Sequence, residues 1–370
     1  MTVKMKWRMF LALVGTVMAA AVLLRLRGEP ASPAPDAATP PTGHPEEAMP
    51  VRQAAVGAAH LEQASPENKG RTNLLDRVLK GDGVRLTPEQ ISAFLAANHR
   101  SVESLLAASR ASDDPAAYLK EAKERFPNDA RVQFAAIFRS DSPEERTQWL
   151  DRLKQTAPDN ALPDYLSALD DLKAGRTEHG VQELNNAAGK TGFQDYVLDF
   201  IQSAEEAYRS AGYSEAEAKL VAATEAQLPQ LAQLKQLGLS MVDLANSYRQ
   251  AGDTASGQNV LDMAVHLGQQ LDANGPGGQF LINNLVGLAI QFNALKAMDP
   301  ASPYSGSDQT VQAYMDQLTQ QRDAVKQLGR QTESLWQNLA PEDLISFFDR
   351  QKLYGEQAAL QWYLNKSGQN

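Results

Sequence analysis

The amino-acid sequence predicts an all-α protein. Antiparallel helical hairpins stack in a row, an N-terminal transmembrane helix precedes them, and a C-terminal helical hairpin closes the row as a cap. Three observations lead there. Residues 73–370 carry repeated helix-start signals and almost no alternating strand pattern. Short stretches recur at fixed spacings along that region. Hydrophobic residues make up 43% of the chain and aromatics only 7%, with alanine plentiful, a balance that favours packed helices over sheet.

The first element is an address. Lys4, Lys6 and Arg8 precede an apolar run from Met9 to Leu24, the arrangement of a secretion signal or signal anchor. As a helix the run spans roughly 24 Å, short of a ~30 Å hydrocarbon core. Trp7 and Leu26 extend it, with Arg8 and Arg25 reaching the interfaces. Ala19-Ala20-Ala21 offers a cleavage site, but Val22-Leu23-Leu24 continues the apolar run past it. Residues 1–27 are therefore expected to stay as an anchor, with cleavage after Ala21 and secretion as the alternative. The expected location is a bacterial inner membrane, crossed once, with the soluble part extracytoplasmic (periplasmic).

Residues 28–72 read as a tether. Pro30, Pro33, Pro35, Pro40, Pro41, Pro45 and Pro50 stand among alanines and acidic residues. Proline at this density removes backbone donors, and few large apolar side chains are present to repay ordering. A flexible chain of that length reaches roughly 35–40 Å.

Residues 73–300 read as the helical row. Thr87-Pro88-Glu89-Gln90 and Ser142-Pro143-Glu144-Glu145 carry the capping-box pattern with proline at the first helical position. Asp114-Pro115 and Ala340-Pro341 are weaker forms. Tyr118-Leu119, Lys123, Pro127, Ala130 and Phe134 recur 31 positions on as Trp149-Leu150, Lys154, Pro158, Ala161 and Tyr165. Tyr208-Arg209-Ser210-Ala211-Gly212 recurs 40 positions on as Tyr248-Arg249-Gln250-Ala251-Gly252, and Lys173-Ala174-Gly175 repeats its end. Glycine there predicts a helix closing in a left-handed turn. Thr177, Ser214 and Thr254, two residues later, are expected to cap the next helix.

With these residues in place the chain resembles the tetratricopeptide-repeat family over roughly residues 115–271. Leu244, Ala245, Tyr248, Gly252, Gly257, Leu261 and Ala264 fit its spacing of small residues where two helices touch. Ala168, Gly175, Gly180, Leu184 and Ala187 fit the second half of it. This register sets Gly257 against Ala245 and leaves Gly268 off the contact row. The spacings of 31 and 40 depart from the family's 34, and Met241 stands where its tryptophan belongs. The resemblance implies a superhelix with a partner-binding concave face and assigns no individual binding residue.

Residues 301–370 break the pattern. Val311, Met315, Leu318, Val325, Leu328 and Leu335 form a near-heptad seam on one long helix from Asp308 to about Asn338. Leu344, Phe347, Phe348, Tyr354, Trp362 and Tyr363 load a single final helix. The pair is expected to form a hairpin, either as a core-forming cap or as an exposed aromatic docking surface.

Composition and motifs exclude much chemistry. There are no cysteines, so no disulfide or thiolate site. The net charge of −10 disfavours nucleic acid. His44, His60, His99, His179 and His266 include no pair at zinc-ligand spacing. Gly189-Lys190-Thr191 looks like the end of a phosphate loop, but Leu184 stands where its first glycine belongs. Glu103-Ser104 is superficially similar to the catalytic motif of lytic transglycosylases, without that family's continuation. Gly275-Pro276-Gly277-Gly278 reads as a turn, and Asp170-Asp171 and Glu205-Glu206 as solvated helix faces.

The reading is a membrane-tethered scaffold, not an enzyme, with no catalytic, cofactor or metal site. It is expected to bind a protein or peptide partner on the concave face or on the C-terminal aromatic hairpin. The alternative is a cell-envelope enzyme or regulatory subunit, for example one acting on cell-wall glycan through an unrecognised site. Protease added to spheroplasts is expected to cut within residues 30–50 and release a domain beginning near Asn73; a fully protected domain would reverse the topology.

Overall fold

The computed structural model describes residues 83–304, 308–333 and 340–368. The anchor at 9–24, the tether at 28–72, His44, His60 and Leu335 lie outside them. Among the described residues the protein is all-helical, with two isolated β-bridges in place of any strand. No helix there is long and apolar enough to cross a membrane.

The helices are α1 (Pro88–Ala97), α2 (Val102–Ala111), α3 (Pro115–Arg125), α4 (Ala130–Ile137) and α5 (Pro143–Thr156). Next come α6 (Leu162–Lys173), α7 (Thr177–Ala188), α8 (Val197–Ser210), α9 (Glu215–Thr224) and α10 (Pro229–Gln250). The last five are α11 (Thr254–Gln270), α12 (Leu281–Lys296), α13 (Val311–Glu333), α14 (Pro341–Tyr354) and α15 (Glu356–Lys366).

Their starts follow side-chain chemistry. Thr87 and Gln90 complete a capping box on α1, and Ser214 and Glu217 complete another on α9. Asp114, Asp129, Ser142 and Asp253 each accept a backbone amide in the first turn of α3, α4, α5 and α11. Of the three expected threonine and serine caps only Ser214 holds. Thr177 and Thr254 are the first residues of α7 and α11, and Asp253, one position earlier, takes the capping bond of α11. Gly175, Gly212 and Gly252 do close their helices with φ of 74°, 94° and 86°.

Helices adjacent in sequence pack in pairs, most closely α6 with α7, α10 with α11 and α11 with α12. The row also folds back. α8 packs on α1 and α2, while α10 packs on α6 and skips the α8–α9 pair. The buried Tyr208 hydroxyl fixes this return by donating to the Val84 carbonyl at 2.7 Å. One core runs from Val84 to Leu318. The 31-residue echo shares its burial, with Leu119 and Leu150, and Phe134 and Tyr165, all inside it.

Glycines mark the closest crossings. A Cβ on Gly257 would stand 2.9 Å from the Ala245 carbonyl oxygen, as the register expects. Gly268 departs from expectation. A Cβ there would stand 2.6 Å from the Gly287 carbonyl oxygen and closer still to Gln291 Cγ. It lies on a contact row, because α12 covers the side of α11 that α10 leaves open, and a two-helix register cannot show that third helix.

The C-terminal segment differs from expectation at one point. Gly355, with φ of 83°, breaks the final helix, so α14 and α15 form their own hairpin. α13 covers 311–333 of the predicted long helix. Leu344, Phe347 and Phe348 are buried in a second core with Leu220 of α9 and Leu281 of α12. Tyr354 is exposed at the hairpin tip.

Two polar joints fasten this hairpin. Glu205, only 3% exposed, lies 3.0 Å from Lys219 Nζ and also pairs with Lys352. Lys219 reaches Asp349 at 2.6 Å. Glu205 is therefore a buried ion-pair centre joining α8, α9 and α14, not the solvated position its Glu206 neighbour suggested. The second joint is Glu356, whose Oε2 accepts the Leu281 amide at 2.8 Å. It caps α12 from the far end of the chain, where Phe280 supplies no side-chain bond of its own.

Gly268→Ala is expected to cost about 1–3 kcal/mol by overpacking, against a helix-propensity gain of about 1 kcal/mol. Gly189→Ala, with its nearest neighbours at 3.6 Å and 3.7 Å, should be neutral or better. Equal thermal melts for the two variants would remove the crossing. Burial raises the Glu356 carboxyl to about 7, and the Leu281 amide only partly opposes this. That lies above the unfolded value of ~4.3, so its contribution is complete in acid and lost as pH rises through 7. Urea melts from pH 5 to 8 are expected to show that loss, and Glu356→Gln, which keeps an acceptor for Leu281, to flatten it. Identical slopes in both proteins would rule the linkage out.

Candidate functional site

A basic groove of about 810 Å³ lies where α3, the end of α4, and α5 meet. Helical spacing brings Lys120 and Lys123 to one side of α3, one turn apart, and Trp149 and Arg152 to one side of α5. The turn after α4 adds Arg139, Ser140 and Asp141. Lys120, Lys123, Arg139 and Arg152 face only two carboxylates on the wall, Glu124 and Asp141.

The groove is held from below. Ser142 caps α5 and so fixes Glu145 in its first turn. Glu145 Oε1 lies 2.7 Å from Lys123 Nζ and accepts the Trp149 indole N–H at 3.1 Å. Its Oε2 accepts the Asp141 amide at 2.9 Å. The Lys123 ammonium, with these donors, holds the Glu145 carboxyl down to about 2. Trp149 is buried, and the Lys123 and Arg152 cations stand 5.9 Å and 4.9 Å from its ring centroid. Lys120, Arg139 and Arg152 are exposed and make no ion pair among the described residues.

A second cleft, of about 580 Å³, is acidic, with Asp159, Asp195 and Asp199 on its wall. Asn160 builds it. Its Oδ1 accepts the Leu162 and Gln194 amides, and its Nδ2 donates to the Gln194 carbonyl. Tyr196 beside it has φ of 56°, a left-handed conformation that costs a non-glycine residue about 1–2 kcal/mol. Burial raises the Asp195 carboxyl above its ordinary range, against the Val197 amide and the Gln230 side chain at 2.8 Å.

The residues that sequence motifs singled out do not converge. Glu103 is about half exposed and pairs with Arg131 at 2.9 Å, while Ser104 is buried. Burial pushes the Glu103 carboxyl up, but its own backbone amide and Arg131 outweigh this and lower it, the wrong direction for a general acid. Gly189 ends α7, and Lys190 pairs with buried Asp164 at 2.5 Å. Gly275 to Gly278 form the connection between α11 and α12. Asp170 and Asp171 pair with Arg146 and Arg176. His99 and His179 are exposed, and burial lowers His266. Among the described residues no group of three or more His, Asp or Glu side chains is placed to hold a metal ion.

No family model, curated protein or solved structure matches the chain. The groove residues escaped sequence reasoning because Lys120, Lys123, Trp149 and Arg152 carry no motif. Their one signal was the 31-residue echo, which equates Tyr118 with Trp149 and so sets the two helices in equivalent places.

Proposed function

We propose that this chain is an interaction scaffold of the bacterial envelope, anchored in the membrane by residues 1–27 and held clear of it by residues 28–72. Its tetratricopeptide-like hairpins present the basic groove between α3 and α5 to an acidic segment of a partner protein. The observation that carries the reading is one of charge. With Lys123 tied to Glu145, the groove still presents Lys120, Arg139 and Arg152 against the wall carboxylates Glu124 and Asp141, on a chain of net charge −10. A partner selected by this groove meets attraction there and repulsion over the rest of the surface. The buried indole of Trp149 between two cations adds a fixed apolar floor.

A second reading, an envelope hydrolase, draws on the acidic cleft, where a carboxyl raised by burial stands with two others. Binding of a short fluorescent Glu-rich peptide separates the two. The scaffold reading expects saturable binding that weakens as salt rises and falls about tenfold or more in Arg139→Glu/Arg152→Glu. Absence of binding, or binding unchanged in the double variant, would sink the groove. Hydrolysis of cell-wall glycan abolished by Asp195→Asn would put the hydrolase in its place.

A further inference from the structure

Beside the groove lies a smaller pocket of about 90 Å³. One water needs roughly 10–15 Å³ of such space, so there is room for the oxygens of a small polyatomic ion. Three guanidinium groups, Arg85, Arg110 and Arg139, stand on its wall against one carboxylate, Glu225. Arg85 and Glu225 satisfy each other at 3.1 Å. Arg110 and Arg139 are left over, with no ion pair among the described residues.

Arg110 is the unusual member. It stands in the last turn of α2 with its guanidinium carbon 3.9 Å above the Phe200 ring, and no hydrogen bond satisfies its five N–H donors. Burial, with Arg139 pushing the same way, lowers it to about 10. Arg110 is half-buried at the pocket wall, and a partly desolvated guanidinium left without an anion is one whose cost the charge-assisted bonds of a bound oxyanion offset. Ser112, on the same wall, is only 7% exposed, and its buried hydroxyl has no hydrogen-bond partner. Pro229, the first residue of α10, lies on the same wall, and that helix start has no side-chain cap.

We propose that this pocket is an oxyanion site in which Arg110 and Arg139 bind a tetrahedral phosphate-type group. Two uncompensated guanidinium groups match a doubly charged phosphate better than a single carboxylate. Arg139 and Leu119 belong to both cavities, so the pocket borders the basic groove. The phosphate-type group is then either free inorganic phosphate or the head of a small phosphomonoester whose remainder lies along the groove. The inference does not require the peptide reading, because its ligand is small and Arg110 takes no part in the groove, while Arg139 serves both.

Titration calorimetry on the full chain in a non-ionic detergent, at constant ionic strength, tests it with inorganic phosphate and glycerol phosphate in separate arms. One saturable site per chain is expected. Tighter binding of glycerol phosphate assigns the ester, and equal or weaker binding assigns the free ion. Arg110→Met and Arg139→Gln should each weaken binding about tenfold or more, while Arg322→Gln, on α13 and outside the lining of both cavities, should leave it unchanged. Arg110→Met should melt no lower than the parent in phosphate-free buffer, because it removes an unpaired, half-buried charge. If that variant fails to fold, Arg139→Gln, at an exposed side chain, still decides. No saturable binding of either probe at millimolar concentration, or equal binding in the parent and Arg139→Gln, overturns the proposal.

Discussion

The backbones of two helices touch where Gly268 of α11 meets Gly287 of α12, and much of the protein is arranged around that contact. Neither position has room for a Cβ. The approach brings α12 down on α11, and Gly238 of α10 admits Ile290 from the other side. Three helices are thereby locked together. Buried Gln291 then faces α13, where its Oε1 accepts the Tyr314 hydroxyl at 2.7 Å, and Tyr314 stacks on Tyr304 at 4.7 Å. On the opposite side α10 packs on α6, and α6 packs on α5, which carries one wall of the basic groove. A displacement at the glycine crossing would be felt at the groove through rigid neighbours, since packed interiors transmit strain.

The C-terminal hairpin is held by a different kind of force. Its apolar cluster is small, and the orientation comes from Glu205 and Lys219, 3% and 5% exposed. A buried ion pair recovers little net stability, because desolvating both charges nearly cancels their attraction. Breaking it is another matter, since a single buried charge then remains. Such a pair acts against wrong arrangements. Only the placement that returns Asp349 and Lys352 of α14 to α8 and α9 satisfies every charge. The many exposed pairs, such as Arg322 with Asp323, carry no comparable weight.

What could be read from the sequence follows from how local each signal is. The caps at Thr87 and Ser214 and the left-handed turns at Gly175, Gly212 and Gly252 depend on three to five consecutive residues, and they were legible. The Gly257–Ala245 contact was legible too, because the two positions lie on adjacent antiparallel helices and sequence distance fixes the register. Gly268 was misplaced because its partner, Gly287, is on a helix whose packing no local pattern announces. Glu205 was misread for the same reason. A carboxylate on a helix looks solvated until Lys219 and Lys352 arrive from two other helices. Both cavities are of this non-local kind. Arg110 reads as an ordinary basic residue in the last turn of α2, where it suits the helix dipole. Only the return of α8, which sets Phe200 beneath it, makes it a half-buried charge stacked on a ring.

The charge layout gives the two cavities a shared logic. On an acidic chain, basic side chains are normally consumed by neighbouring carboxylates, as Arg131 is by Glu103 and Asp129. Around α3, α4 and α5 that consumption is incomplete. Lys123 is tied to Glu145, a bond that stiffens the groove floor, whereas Arg139 has no such partner and borders both cavities. An anion in the smaller pocket and an acidic segment in the groove would draw on the same guanidinium. Occupation of either lowers the positive potential available to the other, and thermodynamic linkage makes the effect equal in both directions. The sign of that coupling is set by electrostatics alone and needs no movement of the helices. It would be opposed only where a ligand bridges both spaces, with its oxyanion at Arg110 and its remainder over Trp149, because one molecule then takes both sets of contacts for a single loss of translational freedom.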